Sequence, residues 1–182
     1  MTDPYQIIEK YYPKDSRAVE ILIIHSEAVA RKAAVIAGYL NLSPEETAFI
    51  HEASILHDIG IIFTNAPDIG CHGDFPYICH GYKGHDLLVE EGLAHHALVC
   101  ERHTGAGLTI KDIDKQHLSL PRRMMVPISL PERIIAYSDK FFSKNPERLT
   151  QERSFEEVLS SMRRFGPDKA AIVTEWHREF NR

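Results

Sequence analysis

Six residues spread along this 182-residue chain, His25, His57, Asp58, His80, His103 and Asp139, are of types that bind transition metals, and each falls on a helical pattern or at a helix end. Imidazole suits Zn, Fe, Mn, Co and Ni, and carboxylates shift the preference toward harder ions such as Mn and Fe(II). The adjacent pair in Leu56-His57-Asp58-Ile59-Gly60 is the most telling, because it sets an imidazole and a carboxylate together at the end of an apolar helix. An aspartate there can turn one oxygen toward each of two ions. Taken singly, His25 on its apolar stripe reads as a core histidine with a backbone partner. Asp139 lies in line with Ile135 and Phe142 on a core face and needs a cation, since an unpaired buried carboxylate is costly. His80 and His103 stand beside glycines at helix ends, with His85 and the His95-His96 pair as rivals.

The order His25, His57-Asp58, Asp139 resembles the HD-domain superfamily of metal-dependent phosphohydrolases. The stretches His80-Gly81-Tyr82-Lys83-Gly84 and Glu101-Arg102-His103-Thr104-Gly105-Ala106-Gly107 resemble the extra histidine motifs of its two-metal branch. That resemblance implies one ion on His25, His57 and Asp139, a second on His80 and His103, and Asp58 shared by both as the catalytic bridge. The mixed His and Asp donor set favours Fe or Mn, with Co, Ni or Zn as substitutes. The implied reaction is hydrolysis of a phosphomonoester or phosphodiester of a small molecule, such as a nucleotide, by a metal-activated hydroxide. A mixed-valence diiron oxygenase is the alternative from another reaction class, and a non-catalytic nucleotide sensor is a third. Two departures from the family pattern are Ile61, where many relatives carry Lys, and His85, where many carry Ala.

A phosphate needs bases near the cations, and Lys83, Arg102 and Lys140 adjoin ligands in sequence. Arg102 ranks first because a planar guanidinium matches phosphate bidentately. Thr104 and the glycine-rich backbone after it offer further donors. Arg122, Arg123 and Arg133 come from the following loop and helix start, while Phe63, Phe75 and Tyr77 supply flat rings.

The elements that must position these groups read as all-helical, since apolar residues recur at helical spacing and no strand alternation is sustained. Helices are expected over about 5–12, 16–40 and 43–58, with Gly60 as the stop of the third. Others are expected over about 81–92 and 94–102, from Pro131 through Asp139, and at starts near Ser154 and Asp168. Two long irregular loops, 63–78 and about 107–130, flank the site, and the first reads as a lid. The whole is expected as one domain over 1–182, an HD-domain-like bundle with its metal core at about 16–145 and closing helices at about 154–180.

Net charge is −5 with acids and bases interspersed, which favours a small phosphorylated substrate over a nucleic acid polymer or a membrane. Neither a leader nor a membrane-spanning run is apparent, so a cytoplasmic location is expected. Three cysteines, Cys71, Cys79 and Cys100, cannot all pair within one chain and lack paired Cys-x-x-Cys spacing. They read as reduced thiols, with Cys100 as a small buried hydrophobe.

Overall fold

The computed structural model describes residues 3–181; Met1 and Thr2, where the expected leaderless start lies, fall outside them. The described residues form an all-α fold of nine helices: α1 (Pro4–Tyr11), α2 (Arg17–Tyr39), α3 (Pro44–Leu56), α4 (His80–Glu90), α5 (Ala94–Arg102), α6 (Ile110–Gln116), α7 (Leu130–Asp139), α8 (Phe155–Arg163) and α9 (Pro167–Phe180).

Local chemistry accounts for most of the starts. Ser16 and Ser129 accept from the backbone N–H three residues on, and Ser43 with Glu46 and Ser154 with Glu157 form reciprocal capping boxes. Proline in the first turn of α1, α3, α7 and α9 costs no hydrogen bond, because those N–H groups have no helical partner.

Helix α2 runs through two apolar clusters. One gathers Val29, Ala33, Ile50, Ile134, Tyr137 and Val173, and the other gathers Ile8, Leu22, Ile55, Leu56, Ile59 and Leu88. His25 lies on α2 between Leu22 and Val29, where the clusters meet. Burying these side chains removes apolar surface at ~25 cal/mol per Å², so the frame around the polar centre is held by the hydrophobic effect rather than by the centre itself.

Four expectations are corrected. The segment expected to be irregular over 107–130 contains α6, started by a capping box between Thr109 and Asp112. The segment 63–78 is laddered: Asn65–Ala66 (β1) pairs antiparallel with Cys71–His72 (β2), with Asn65 opposite His72, and a bridge joins Thr64 to Phe75. Gly60 is not a left-handed stop but part of a buried 3-10 turn, Ile59–Phe63, pressed against α4. The last helix is entered through Gly166 at φ 138°, with Asp168 in its first turn rather than at its cap.

Candidate metal centre

Three of the four histidines are aimed by the same local device. The Nδ1–H of His57 donates to the Ser54 carbonyl at 2.6 Å, that of His80 to Tyr77 at 2.7 Å, and that of His103 to Cys100 at 2.7 Å. A carbonyl only accepts, so each Nδ1 carries a proton, and it is Nε2 that presents the lone pair when the ring is neutral. His57 and His103 sit at the C-terminal caps of α3 and α5, and His80 begins α4, so carbonyls of the turn just ended are at hand. Fixing the tautomer through the outer nitrogen is the usual way a protein orients an imidazole toward a metal.

These lone pairs converge on Asp58, which is fully buried. Its Oδ2 lies 3.2 Å from His25 Nε2 and 2.9 Å from His57 Nε2, and Asp139 Oδ1 lies 3.1 and 3.6 Å from the same two nitrogens. Its Oδ1 lies 3.3 Å from His80 Nε2 and 3.4 Å from His103 Nε2. The six residues therefore divide into two groups, His25-His57-Asp58-Asp139 and Asp58-His80-His103, with one Asp58 oxygen in each. Ligand bonds of ~2.1 Å at tetrahedral or octahedral angles separate ligand atoms by roughly 3.0–3.4 Å, close to the spacings here.

Hydrogen bonding within the protein does not account for the arrangement. His80 Nε2 and His103 Nε2 face each other at 3.1 Å, two acceptors with no proton between them once both Nδ1 atoms are protonated. His57 Nε2 and both oxygens of Asp58 are buried without a hydrogen bond of proper geometry. Buried groups left in this way cost ~1–3 kcal/mol each unless a cation meets them; Lys144 meets Asp58 Oδ2 at 2.5 Å, whereas the facing nitrogens of His80 and His103 are met by none. The donor set thus fits two transition-metal ions.

The electrostatics sort the groups. Burial, the largest influence on His57, disfavours its charge, but Asp58 and Asp139 outweigh it and raise the pKa to about 9. For His80 burial wins and pushes the pKa down to about 3, and it lowers His103 as well. Burial opposes ionisation of both carboxylates, yet His57 and Lys144 hold Asp58, and Lys140 and His25 hold Asp139, well below the ordinary range.

Lys144, absent from the sequence-derived site, is the group that sequence reasoning missed. Its ammonium stands 2.5 Å from Asp58 Oδ2, and although burial would lower its pKa, Asp58, Tyr77 and Asp139 raise it above the usual lysine range. It follows α7 by a few residues in an irregular segment, where no periodicity points its side chain inward.

The expected phosphate-binding residues separate. Lys140 reaches the centre, donating to Asp139 Oδ2 at 2.6 Å and to the His103 carbonyl at 3.3 Å. Thr104 lines a cavity directly after His103. Arg102 is turned away onto Glu132 at 3.0 Å, and Lys83 lies 3.8 Å over the Phe75 ring. Arg122, Arg123 and Arg133 pair with Asp114, Glu101 and Glu179. Among the rival histidines, His85 pairs with its neighbour Asp86, and His95 is exposed. His96 is buried against Phe49 and Glu52, contrary to the exposed position expected of it. The free thiols of Cys71, Cys79 and Cys100 are all buried. Among the described residues no helix is long and apolar enough to cross a membrane.

Comparison with known proteins places this geometry in another context. The chain is 30% identical over 131 residues, 71% of its length, to a tRNA (cytidine(56)-2'-O)-methyltransferase of Picrophilus torridus, and 28% identical over 155 residues, 85% of its length, to one of Thermoplasma volcanium. It is 36% identical over 95 residues, 52% of its length, to an uncharacterised protein of Methanocaldococcus jannaschii. The chain spans 34%, 40% and 48% of the Picrophilus, Thermoplasma and Methanocaldococcus proteins. No family model matches the chain, and no solved structure matches it.

These relatives overturn the expected HD-domain phosphohydrolase. The named ones methylate tRNA rather than hydrolyse phosphate esters, which corrects the family, the hydrolase class with its alternatives, and the exclusion of a nucleic acid partner. The physical reason is plain: imidazoles and carboxylates at these spacings specify a cation, and the reaction depends on what else is bound beside it.

Proposed function

We propose that this chain is a helical, two-cation domain that serves 2'-O-methylation of tRNA. The alignment of most of its length with two archaeal tRNA methyltransferases carries this reading. Because the chain spans a minority of each of those proteins, methyl transfer belongs to the assembled whole, and this domain's share is to hold cations and engage RNA. A cytoplasmic location, where tRNA is modified, follows from the same reading.

In this account His25, His57 and Asp139 hold one ion, His80 and His103 hold the other, and Asp58 serves both. Bound there, Fe, Mn or a related divalent ion would supply fixed positive charge able to attract anionic RNA oxygens. Lys140 and Lys144, paired with Asp139 and Asp58, add cationic charge beside the ions, and Thr104 adds a hydroxyl close by. Arg102 and Lys83 serve packing instead, through Glu132 and Phe75.

Capture of an unmodified tRNA transcript by the purified chain tests the reading, measured with Mn²⁺ present and after chelation. Saturable binding that weakens on chelation is expected, and so is its weakening by Asp58→Ala in a protein of unchanged helix content. A chain that captures no tRNA under either condition contradicts the proposal.

A further inference from the structure

We propose that the cleft beside Asp139 is a nucleotide pocket, with the phosphate on Lys140, Lys144 and Arg153 and the base in an adjoining apolar chamber closed by Phe165. This rests on the RNA reading above and deepens it by naming the part of the RNA that is gripped.

The cleft has two halves of opposite character. One, of about 310 Å³, is lined by Tyr77, Asp139, Lys140, Lys144 and Arg153, with Lys140 and Lys144 each shared with a carboxylate, Asp139 and Asp58. The other, of about 160 Å³, is lined by Ile78, Leu108, Leu118 and Met162. Gly105, Met162 and Phe165 border both, so the halves meet there. The Arg153 guanidinium is steadied by the carbonyls of Lys140 and Glu157, which fixes its position without neutralising its charge.

Phe165 is 62% exposed, in the turn between α8 and α9, at the junction of the two halves. Its ring is left out of the core and faces the place where a flat ligand would lie. Gln116 lines the apolar half as an exposed side chain whose amide can meet the edge of a base.

A matching ligand needs a flat apolar end small enough for the inner half and an anionic end for the outer one. A nucleotide meets both demands. Recognition by stacking plus phosphate neutralisation is how unpaired nucleotides are usually held. The nucleotide can be one unit of an RNA strand or a free monophosphate, and the two are separable by experiment.

The probes are a fluorescein-labelled single-stranded oligocytidylate RNA and cytidine 5'-monophosphate, titrated into the full chain. The wild-type chain is expected to bind the oligonucleotide, with displacement by the monophosphate and a shift of the Met162 methyl resonance. Phe165→Ala is expected to weaken binding about tenfold or more with unchanged metal content and melting temperature, and Phe165→Tyr to retain it. Equal binding by Phe165→Ala and wild type overturns the pocket and leaves tRNA capture standing. Binding of the monophosphate with refusal of the oligonucleotide keeps the pocket but contradicts its assignment to RNA. Failure to bind either probe overturns the pocket, and the tRNA capture experiment then judges the broader reading on its own.

Discussion

At the scale of single residues, the centre sets two imidazoles kept neutral, His80 and His103, and one that holds its proton, His57, beside carboxylates kept charged. Asp58 and Asp139 stay ionised through His57, Lys144, Lys140 and His25, whereas His80 refuses a proton down to about pH 3 because its burial outweighs the pull of Asp58. The unfolded chain takes up a proton on that histidine near its ordinary pKa of ~6.5. His80 therefore leaves stability untouched above pH 6.5 and lowers it as pH falls from 6.5 toward about 3. His57 acts in the opposite sense: its contribution is complete below ~6.5 and is lost as pH rises through about 9. Chelator-treated protein is thus expected to lose on the order of 1–2 kcal/mol between pH 6.5 and 5, read by urea denaturation. Stability that stays flat or rises over that interval would show that His80 is not held neutral. The residue types that meet at the centre, and their order, were legible in the sequence, and so was the inward aim of Asp139. Lys144 was not, because a lysine in an irregular segment carries no periodic sign of where its side chain goes.

At the scale of elements, the second histidine group is placed by close helix approach. A Cβ on Gly60 would lie 2.1 Å from the His80 carbonyl oxygen and 2.4 Å from Gly84 N, and one on Gly84 would lie 2.3 Å from Cys100 Sγ. The obstacles at Gly60 are backbone atoms, so substitution has to push α4 away from the 3-10 turn that follows Asp58. Gly60→Ala is expected to destabilise the protein by ~3 kcal/mol and to loosen the ion on His80 before the one on His25. Denaturation together with metal content checks this, and a variant of wild-type stability would show that the contact relaxes freely. Helix starts were readable at Ser43 and Ser154, each standing three residues before an acid. The same signal, Thr109 with Asp112, was present for α6 but lay inside a stretch whose prolines suggested continuous loop. The role of Gly60 was misread because a glycine after a helix signals a left-handed stop as readily as a close approach, and only tertiary packing separates the two.

At the scale of the whole molecule, a net charge of −5 offers RNA no overall attraction. In the proposed function, attraction comes from local charge, namely ions held at the centre together with Lys140, Lys144 and Arg153. Binding of single-stranded RNA through three such side chains is expected to weaken with salt at a slope of about −2 in log K against log salt. A slope several times steeper would reveal a wider basic surface elsewhere. Composition misled here, because it averages over a surface on which a small cationic rim is outnumbered by acids.

The most direct test of the central claim, that six side chains from five helices and their ends hold two cations across one shared aspartate, is metal content per chain by mass spectrometry. Reconstitution with Mn²⁺ or Fe²⁺ is expected to give two ions in the wild type, one in His103→Ala and none in Asp58→Ala, matching the two ligand groups that meet at Asp58. A wild-type chain that retains no ion, or an Asp58→Ala variant that retains both, would contradict it.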